Sequence, residues 1–193
     1  MSAWIRMIPV EEATGFLKQM YDKVTTPHGT VDNVMKAHSL RPHSMDGHVV
    51  LYRSVLHNPG NVLPLWFLEC VAVYTSLTNA CDYSFQHHWQ NTRRLFKDDA
   101  RANAMLAALK AGRPEDFFAG KELELLRYAR KLTATPQQMV RADIEACRAA
   151  GADDGEILEV NQVCAYFNYS NRLLNGLGVT TEGDIIGYYK EGE

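Results

Sequence analysis

A cysteine, a serine and a histidine in the segment NACDYSFQHH (residues 79–88) have a spacing that suggests chemistry. Cys81, Ser84 and His88 are three and four residues apart, so on a helix they fall on one stripe, whereas His87 points away from it. Backbone amides and the helix dipole near a helix start favour a thiolate at Cys81. His88, two turns later, can exchange protons with that thiol, directly or through water. The pattern therefore predicts a reactive thiol with a proton-transfer partner.

Glu69 is the second unusual residue, because it interrupts the apolar segment PLWFLECVAVY. An unpaired ionised carboxylate inside a buried helix is costly, so it should be paired or be protonated at a raised pKa. Buried carboxylates of this kind often take part in proton transfer. We therefore expect Glu69 to form a relay with Cys81 and His88 across two consecutive helices.

Each of these residues also has a purely structural interpretation. Cys81 can be a small core residue, His88 a satisfied polar group, and Glu69 one half of an ion pair that holds helices together. The candidate partners for such an ion pair are Arg94, Arg127 and Arg172. The other cysteines lie among apolar neighbours and are interpreted as packing residues: Cys70, Cys147 and Cys164. Five scattered histidines are interpreted as surface or structural residues: His28, His38, His43, His48 and His57.

The composition is that of an ordinary globular protein. The chain has 193 residues, of which 46% are hydrophobic and 22% charged, and the net charge of −3 gives no reason to expect nucleic acid or an anionic membrane as a partner. The longest apolar run is too short and too polar to span a membrane, and the N-terminus lacks the apolar stretch of a secretory signal. Four irregularly spaced cysteines favour a reducing cytoplasm, and no metal-ligand spacing is present.

The apolar pattern is helical almost throughout the chain. Residues 10–24 place Phe16, Met20 and Val24 on one stripe, and residues 45–57 form another amphipathic helix. Asn79 is typical of the N-cap of a helix that extends to about Phe96. The final long helix begins after a cap at Asp153 or Asp154. No window alternates long enough to demand a strand, so the sequence predicts an all-α fold of seven to nine helices. We expect one domain over residues 1–193, with its core at about 10–180.

Two motifs together resemble a known family. Glu69, then Cys81 twelve residues later, then His88 resemble the signature of the alkylhydroperoxidase D-like proteins of the carboxymuconolactone decarboxylase superfamily, which is a glutamate, a Cys-x-x-Cys pair and a histidine. Downstream, KELELLRYARKLTATP and IEACRAAGADDGEILEVNQVCAYFNYSNRLLNGLGV are similar to the C-terminal half of its peroxidase-related branch. The resemblance covers about residues 10–180. It implies a single helical domain that assembles by helix packing into a trimer, hexamer or dimer.

One departure from the family pattern bears directly on the reaction. Carried over, Glu69 and His88 match proton-relay positions and Cys81 matches the resolving cysteine, but Ser84 stands at the position of the attacking cysteine. Tyr83 occupies a position where some members have a second histidine. A serine hydroxyl is a poor nucleophile toward peroxide and forms no disulfide. The dithiol cycle of the family therefore cannot run at this site.

Three functions remain open. The first is a peroxidase-related oxidoreductase in which Cys81 is oxidised to a sulfenic acid and reduced by an external thiol. The second is a cofactor-free lyase, decarboxylase or isomerase that acts on a small lactone, oxo acid or aromatic carbonyl compound. Glu69, His88 and Tyr83 move the protons in this reaction, Cys81 is a further candidate for that role, and Ser84 donates a hydrogen bond to a substrate oxygen. The third is a non-catalytic oligomer that binds a small ligand. None of them needs a cofactor.

Large aromatic residues near the site predict an apolar binding pocket. Trp66, Phe85 and Trp89 are the candidate substrate-binding residues, with Phe67 and Tyr74 as further candidates for the pocket wall. Such a pocket would suit an organic substrate larger than hydrogen peroxide. The same side chains could equally fill the core or a subunit interface.

Overall fold

The computed structural model describes residues 2–189. Within these residues the chain forms nine α-helices, three short 3₁₀ helices and no strand, so the predicted all-α fold is confirmed. The α-helices are α1 (Gly15–Val24), α2 (Asn33–Lys36), α3 (Pro42–Leu56), α4 (Leu65–Thr78), α5 (Asp82–Phe96), α6 (Asp99–Lys110), α7 (Gly120–Ala134), α8 (Arg141–Ala149) and α9 (Asp154–Leu177). The 3₁₀ helices are Val10–Glu12, Pro114–Asp116 and Pro136–Gln138.

Helix α4 lies at the centre of the molecule. Its residues 67–76 are buried on every side, because the sequence is apolar around the whole helix. It packs most extensively against α5 and also against α7 and α9. The main apolar cluster combines these helices with part of α3 and α6, and a smaller one joins α1 to α3. This placement puts Glu69 inside the protein, next to the inner face of α5.

The connection between α4 and α5 differs from the prediction. Asn79 is the C-cap of α4 because its N–H still bonds to the Thr75 carbonyl, so the predicted N-cap is wrong. Ala80 then adopts a left-handed conformation, with φ of 50°, and reverses the chain. Cys81 is the true N-cap of α5, and its N–H bonds back to the Ser76 carbonyl. The turn therefore places Cys81 just before the helix and not within its first turn.

Other helix ends follow their sequence signals. Asp153 caps α9 by accepting a hydrogen bond from the Glu156 N–H, and Glu156 in turn accepts one from the Asp153 N–H. The predicted cap and the predicted end of α5 at Phe96 are both confirmed. The predicted stripe of α1 is confirmed at Met20 and Val24 but is wrong at Phe16, which is exposed in the first turn of the helix, where Leu17 is buried instead.

The segment after α9 turns back over α5. Asp184 accepts hydrogen bonds from the Asn33 N–H and from the Tyr83 hydroxyl, and the Tyr188 N–H donates to Asn91 Oδ1. These contacts join residues 180–189 to the start of α2 and to one face of α5. Within the described part of the chain, no helix is long and apolar enough to cross a membrane.

Candidate functional site

Glu69 and His88 form a directly hydrogen-bonded pair. The Glu69 side chain is 0% exposed and that of His88 is 12% exposed, and His88 Nδ1 lies 2.6 Å from Glu69 Oε2. His88 Nδ1–H is therefore the donor to the carboxylate, which leaves Nε2 as the basic nitrogen of a ring that lines a cavity. The His88 ring packs nearly at a right angle to the ring of Phe167, with 4.5 Å between the ring centres. The predicted proximity of these two residues is thus present in the fold.

Asn91 completes the surroundings of the buried carboxylate. Its Nδ2–H₂ donates to Glu69 Oε1 at 3.2 Å, so each oxygen of Glu69 has a donor. The alternative ion pairs predicted for Glu69 are wrong: Arg127 pairs with Glu115 and Glu124, and neither Arg94 nor Arg172 reaches Glu69 among the described contacts. Asn91 was missed from the sequence, although it lies three residues after His88 on the same helix.

A cavity of about 340 Å³ lies beside His88, between α3, α5, α9, the start of α2 and the final segment. Most of its lining residues have a polar group in the side chain. The polar lining residues are Thr26, Asp32, His48, Tyr52, Arg53, His57, Tyr83, Ser84, His87, His88, Asn91, Tyr166, Ser170 and Tyr188. The apolar ones are Val24, Val34, Met35, Val49 and Leu174. A cavity of this volume is suited to a small organic molecule.

His87 also belongs to this cavity, which corrects the expectation that it points away from the site. Its ring stacks on Tyr83, and its Nε2 lies 3.7 Å from Asp184 Oδ2. Tyr83 donates its hydroxyl hydrogen to the same carboxylate at 2.6 Å and accepts one from the Val34 N–H. A sequence signal existed, because Tyr83, His87 and Asn91 follow one another at intervals of four residues.

Two more histidines, for which the sequence predicts surface or structural roles, come from α3 and from the residue that follows it. His48 Nε2 lies 2.9 Å from the Tyr166 hydroxyl, and burial lowers the pKa of His48 to about 3. His57 Nε2 lies 2.9 Å from the Tyr52 hydroxyl, and burial lowers its pKa as well, although the nearby Glu69 opposes the shift. Both residues line the cavity as neutral imidazoles, so they can exchange hydrogen bonds without adding positive charge.

Cys81 and Ser84 lie in different surroundings. Ser84 lines the cavity, whereas Cys81 is 1% exposed and packs in a small apolar cluster that includes Ala37 and Leu174. Burial raises the pKa of the Cys81 thiol, and hydrogen bonding to the Ser84 backbone and hydroxyl only partly opposes this. The expected thiolate is therefore not favoured, because loss of hydration outweighs the effect of the helix start.

The three candidate substrate-binding residues lie outside the lining of this cavity. Trp66, Phe85 and Trp89 are partly buried and pack against the main apolar cluster. Trp66 contacts the ring of Phe96 edge-on, and Phe85 lies under the ammonium group of Lys110. Their role in binding stays a prediction, and the space beside His88 is enclosed by other residues.

The remaining cysteines are buried packing residues, as expected. All four cysteines of the chain are free thiols, so Cys70 does not pair with Cys81. Burial raises the pKa of Cys70, and it raises that of Cys147 to about 11. Within residues 2–189, no group of three or more histidine, cysteine or acidic side chains could hold a metal ion.

No protein-family model and no curated protein matches the chain. Solved structures do match it. The alkylhydroperoxidase AhpD core of an uncharacterized peroxidase-related protein from Ralstonia eutropha JMP134 has a TM-score of 0.81 at 21% identity, over 95% of this chain and 94% of that one. An uncharacterized peroxidase-related protein from Silicibacter sp. TM1040 has a TM-score of 0.79 at 20% identity, with 95% and 93% covered.

A third match has a bound organic molecule. A cysteine-to-alanine variant of the debrominase Bmp8, in complex with 2,3,4-tribromopyrrole, has a TM-score of 0.72 at 13% identity, over 92% of this chain and 90% of that one. These similarities span nearly the whole of each chain, and at such low identity they establish the fold alone. The chain therefore has the alkylhydroperoxidase D-like fold that its motifs suggested.

Proposed function

We propose that this protein is a divergent enzyme of the alkylhydroperoxidase D-like superfamily that transfers protons on a small carbonyl compound without a redox change. His88 acts as the general base. Glu69 fixes the orientation of the His88 ring and stabilises the positive charge that forms on it. The observation that carries the proposal is the 2.6 Å hydrogen bond between the buried Glu69 and a histidine that lines a cavity of about 340 Å³. This function is the second of the three that the sequence leaves open, the cofactor-free acid–base reaction.

The proton balance of the step follows from the ring orientation. His88 Nδ1–H stays bonded to Glu69, so Nε2 has the lone pair that removes a proton from a carbon next to a carbonyl group. The imidazolium that forms is stabilised by the carboxylate, which is itself held by Asn91. The proton then returns to the same or a neighbouring atom of the product. No electrons leave the substrate, so no cofactor or reductant is needed.

Two further residues support this chemistry. Ser84 lines the cavity and can donate a hydrogen bond to the substrate oxygen on which negative charge develops. The Tyr83 hydroxyl is already committed to Asp184, so we assign it a positioning role. The substrate class is a small lactone, oxo acid or aromatic carbonyl compound. A protein of the same fold that binds tribromopyrrole supports a small ring compound as the ligand.

The single-thiol redox reaction is the second candidate. Hydrogen bonding of Ser84 to the Cys81 thiol favours it, and the two uncharacterized neighbours described as peroxidase-related are consistent with it. The thiol is nevertheless buried outside the cavity lining, and burial raises its pKa. We therefore place it after the acid–base reaction. The homo-oligomer, the external thiol reductant of the redox reaction and the cytoplasmic location stay predictions.

The test is hydrogen–deuterium exchange on carbon. Small lactones, 2-oxo acids and aromatic ketones are incubated with the protein in D₂O, and loss of the signal next to the carbonyl group is followed by proton NMR. We expect exchange with at least one class of compound. In His88→Gln the exchange rate should fall at least about 10²-fold. The matched control is His43→Gln on the exposed side of α3, which should keep the rate within about twofold.

Two outcomes would contradict the proposal. One is an unchanged rate in His88→Gln, which would remove His88 from the reaction. The other is line broadening of a bound compound without any exchange, which would favour the non-catalytic ligand-binding function.

A further inference from the structure

Three residues of the cavity wall each have a buried polar atom without a hydrogen-bond partner among the described residues. These atoms are Asp32 Oδ1, His48 Nδ1 and His87 Nε2. Buried polar groups in folded proteins are normally paired, since an unpaired one has lost its hydration without compensation. Three such atoms around one space indicate that a polar ligand belongs there.

The hydrogen position on His87 follows from its contacts. The Gly187 N–H points to His87 Nδ1 at 3.4 Å, so Nδ1 is the acceptor and Nε2 has the hydrogen in the neutral ring. The closest carboxylate oxygen, Asp184 Oδ2, lies 3.7 Å from Nε2, which is beyond hydrogen-bond distance. His87 Nε2–H is therefore a buried donor that lacks an acceptor.

Asp32 supplies the opposite group. Its carboxylate neither caps α2 nor forms an ion pair with any described residue, and Oδ1 is buried. Burial raises the pKa of Asp32 to about 6, and of the neighbouring charges His87 has the largest effect on it. Asp32 and His87 both line the same cavity. At neutral pH Asp32 is ionised and is a buried acceptor that lacks a donor.

We propose that Asp32 and His87 form a subsite for a hydroxyl group of the substrate, which donates to Asp32 Oδ1 and accepts from His87 Nε2–H. A hydroxyl group fits both because it is donor and acceptor at one atom. An ammonium group would satisfy Asp32 but would place its hydrogens against the His87 N–H. The substrate of the proposed proton transfer is therefore a hydroxylated ring compound. This inference rests on the proposed function for the identity of the cavity as the active site.

Binding of size-matched probes tests the subsite without turnover. Phenol and fluorobenzene differ little in shape, but only phenol has a hydroxyl group, and benzylamine supplies an ammonium group. Dissociation constants are measured by saturation-transfer NMR titration at pH 7.5. We expect phenol to bind at least about tenfold more tightly than fluorobenzene, because its hydroxyl group satisfies a charged acceptor.

Two variants on separate elements locate the effect. In Asp32→Ala and in His87→Phe the preference for phenol should fall to within about twofold. Asp22→Ala, at an exposed position of α1, is the matched control and should keep it. The probes bind without turnover, so a protein that prefers phenol but catalyses no carbon–deuterium exchange would contradict the proposed reaction and leave the subsite standing. Thermal midpoints establish that each variant is folded.

Three results would overturn the inference. Equal binding of phenol and fluorobenzene by the unaltered protein would mean that water alone fills the subsite. An undiminished preference in both cavity variants would place the hydroxyl group elsewhere. Tighter binding of benzylamine than of phenol would assign the subsite to a cation.

Discussion

The two histidine–carboxylate pairs at the cavity are built from adjacent histidines but differ in almost every other respect. His88 is joined to Glu69 by a 2.6 Å hydrogen bond, and Glu69 comes from the central helix α4. His87 lies 3.7 Å from Asp184, which comes from an irregular segment after α9. In the first pair Nδ1 bears the hydrogen, and in the second Nε2 does.

This difference underlies the two roles that we propose, a reacting pair and a pair that recognises a ligand. Glu69 has its two oxygens satisfied by His88 and Asn91, so the His88 ring is fixed and its basic nitrogen is available. The oxygens of Asp184 instead accept hydrogen bonds from the Asn33 N–H and the Tyr83 hydroxyl, which leaves the His87 N–H without an acceptor. The first arrangement suits proton transfer, and the second suits a hydrogen bond to a ligand.

The largest effect is expected when the Glu69–His88 pair is broken. Glu69→Gln keeps the size of the side chain but removes its charge, so the ring can adopt the wrong tautomer and the imidazolium loses its counter-charge. We expect the rate of carbon–deuterium exchange to fall about 10²- to 10⁴-fold. Asp184→Asn, measured in parallel, should lower it less than about tenfold. Equal losses in the two variants would remove the distinction between the pairs.

The second pair is expected to matter more for stability. Asp184→Ala leaves the Tyr83 hydroxyl and the Asn33 N–H without their acceptor, so the free energy of unfolding should fall by about 2–3 kcal/mol. Urea unfolding followed by circular dichroism measures this. Asp22→Ala, which removes only an exposed ion pair, should change it by less than about 0.5 kcal/mol. A similarly small change for Asp184→Ala would show that Asp184 does not hold the final segment in place.

His48 sharpens the comparison, because it lines the same cavity without a carboxylate partner. Burial lowers its pKa from 6.5 to about 3, so the unfolded chain takes up a proton on acidification and the folded chain does not. Stability is therefore lost as the pH falls below 6.5, by about 2 kcal/mol at pH 5 from this residue. The raised pKa of Asp32 acts in the opposite direction.

Urea unfolding of the unaltered protein and of His48→Phe at pH 7 and pH 5 measures this effect. The loss on acidification should be about 2 kcal/mol smaller in the variant, and the Asp32 contribution cancels in the difference. His43→Gln is the control and should lose as much as the unaltered protein. A variant that loses as much as the control would mean that His48 is protonated in the folded protein.

Cys81, the N-cap of α5, is expected to give the smallest effect. Because its thiol is buried and its pKa is raised, iodoacetamide at pH 7.5 should label it at least about tenfold more slowly in the folded than in the unfolded protein. Peptide mass mapping separates it from the other cysteines. Cys81→Ala should change the exchange rate less than about twofold. Rapid labelling, with peroxide-dependent turnover that Cys81→Ala abolishes, would instead favour the single-thiol redox reaction.

The sequence was informative where the signal is local. The cost of a charge in an apolar helix identified Glu69, helical spacing identified His88, and a capping box located the start of α9. It was misleading at Asn79, because the helix continues through that residue and Ala80 reverses the chain in a left-handed conformation for which alanine gives no warning. Local signals thus predicted most helices and the two residues of the Glu69–His88 pair.

Other parts of the site have no local signal in the sequence. Asp32 lies in a short non-periodic stretch, and Asp184 lies in an irregular segment after the last helix. His48 follows helical spacing on α3, but only packing decides that its side chain meets Tyr166, which is 118 residues away. The burial that lowers its pKa, and that raises the pKa of Cys81, is likewise a property of the assembled fold.

The return of the final segment over α5 also has a consequence for the order of events in folding. The bonds that it makes to α2 and α5 join residues 97 to 151 positions apart, so each closes a much longer loop than the hydrogen bonds within any single helix. The helices and the Glu69–His88 contact, which spans 19 positions, can form first. We expect the cavity to close last during folding and to open first on warming. A molecule bound in the cavity would then be released while the helices are still intact.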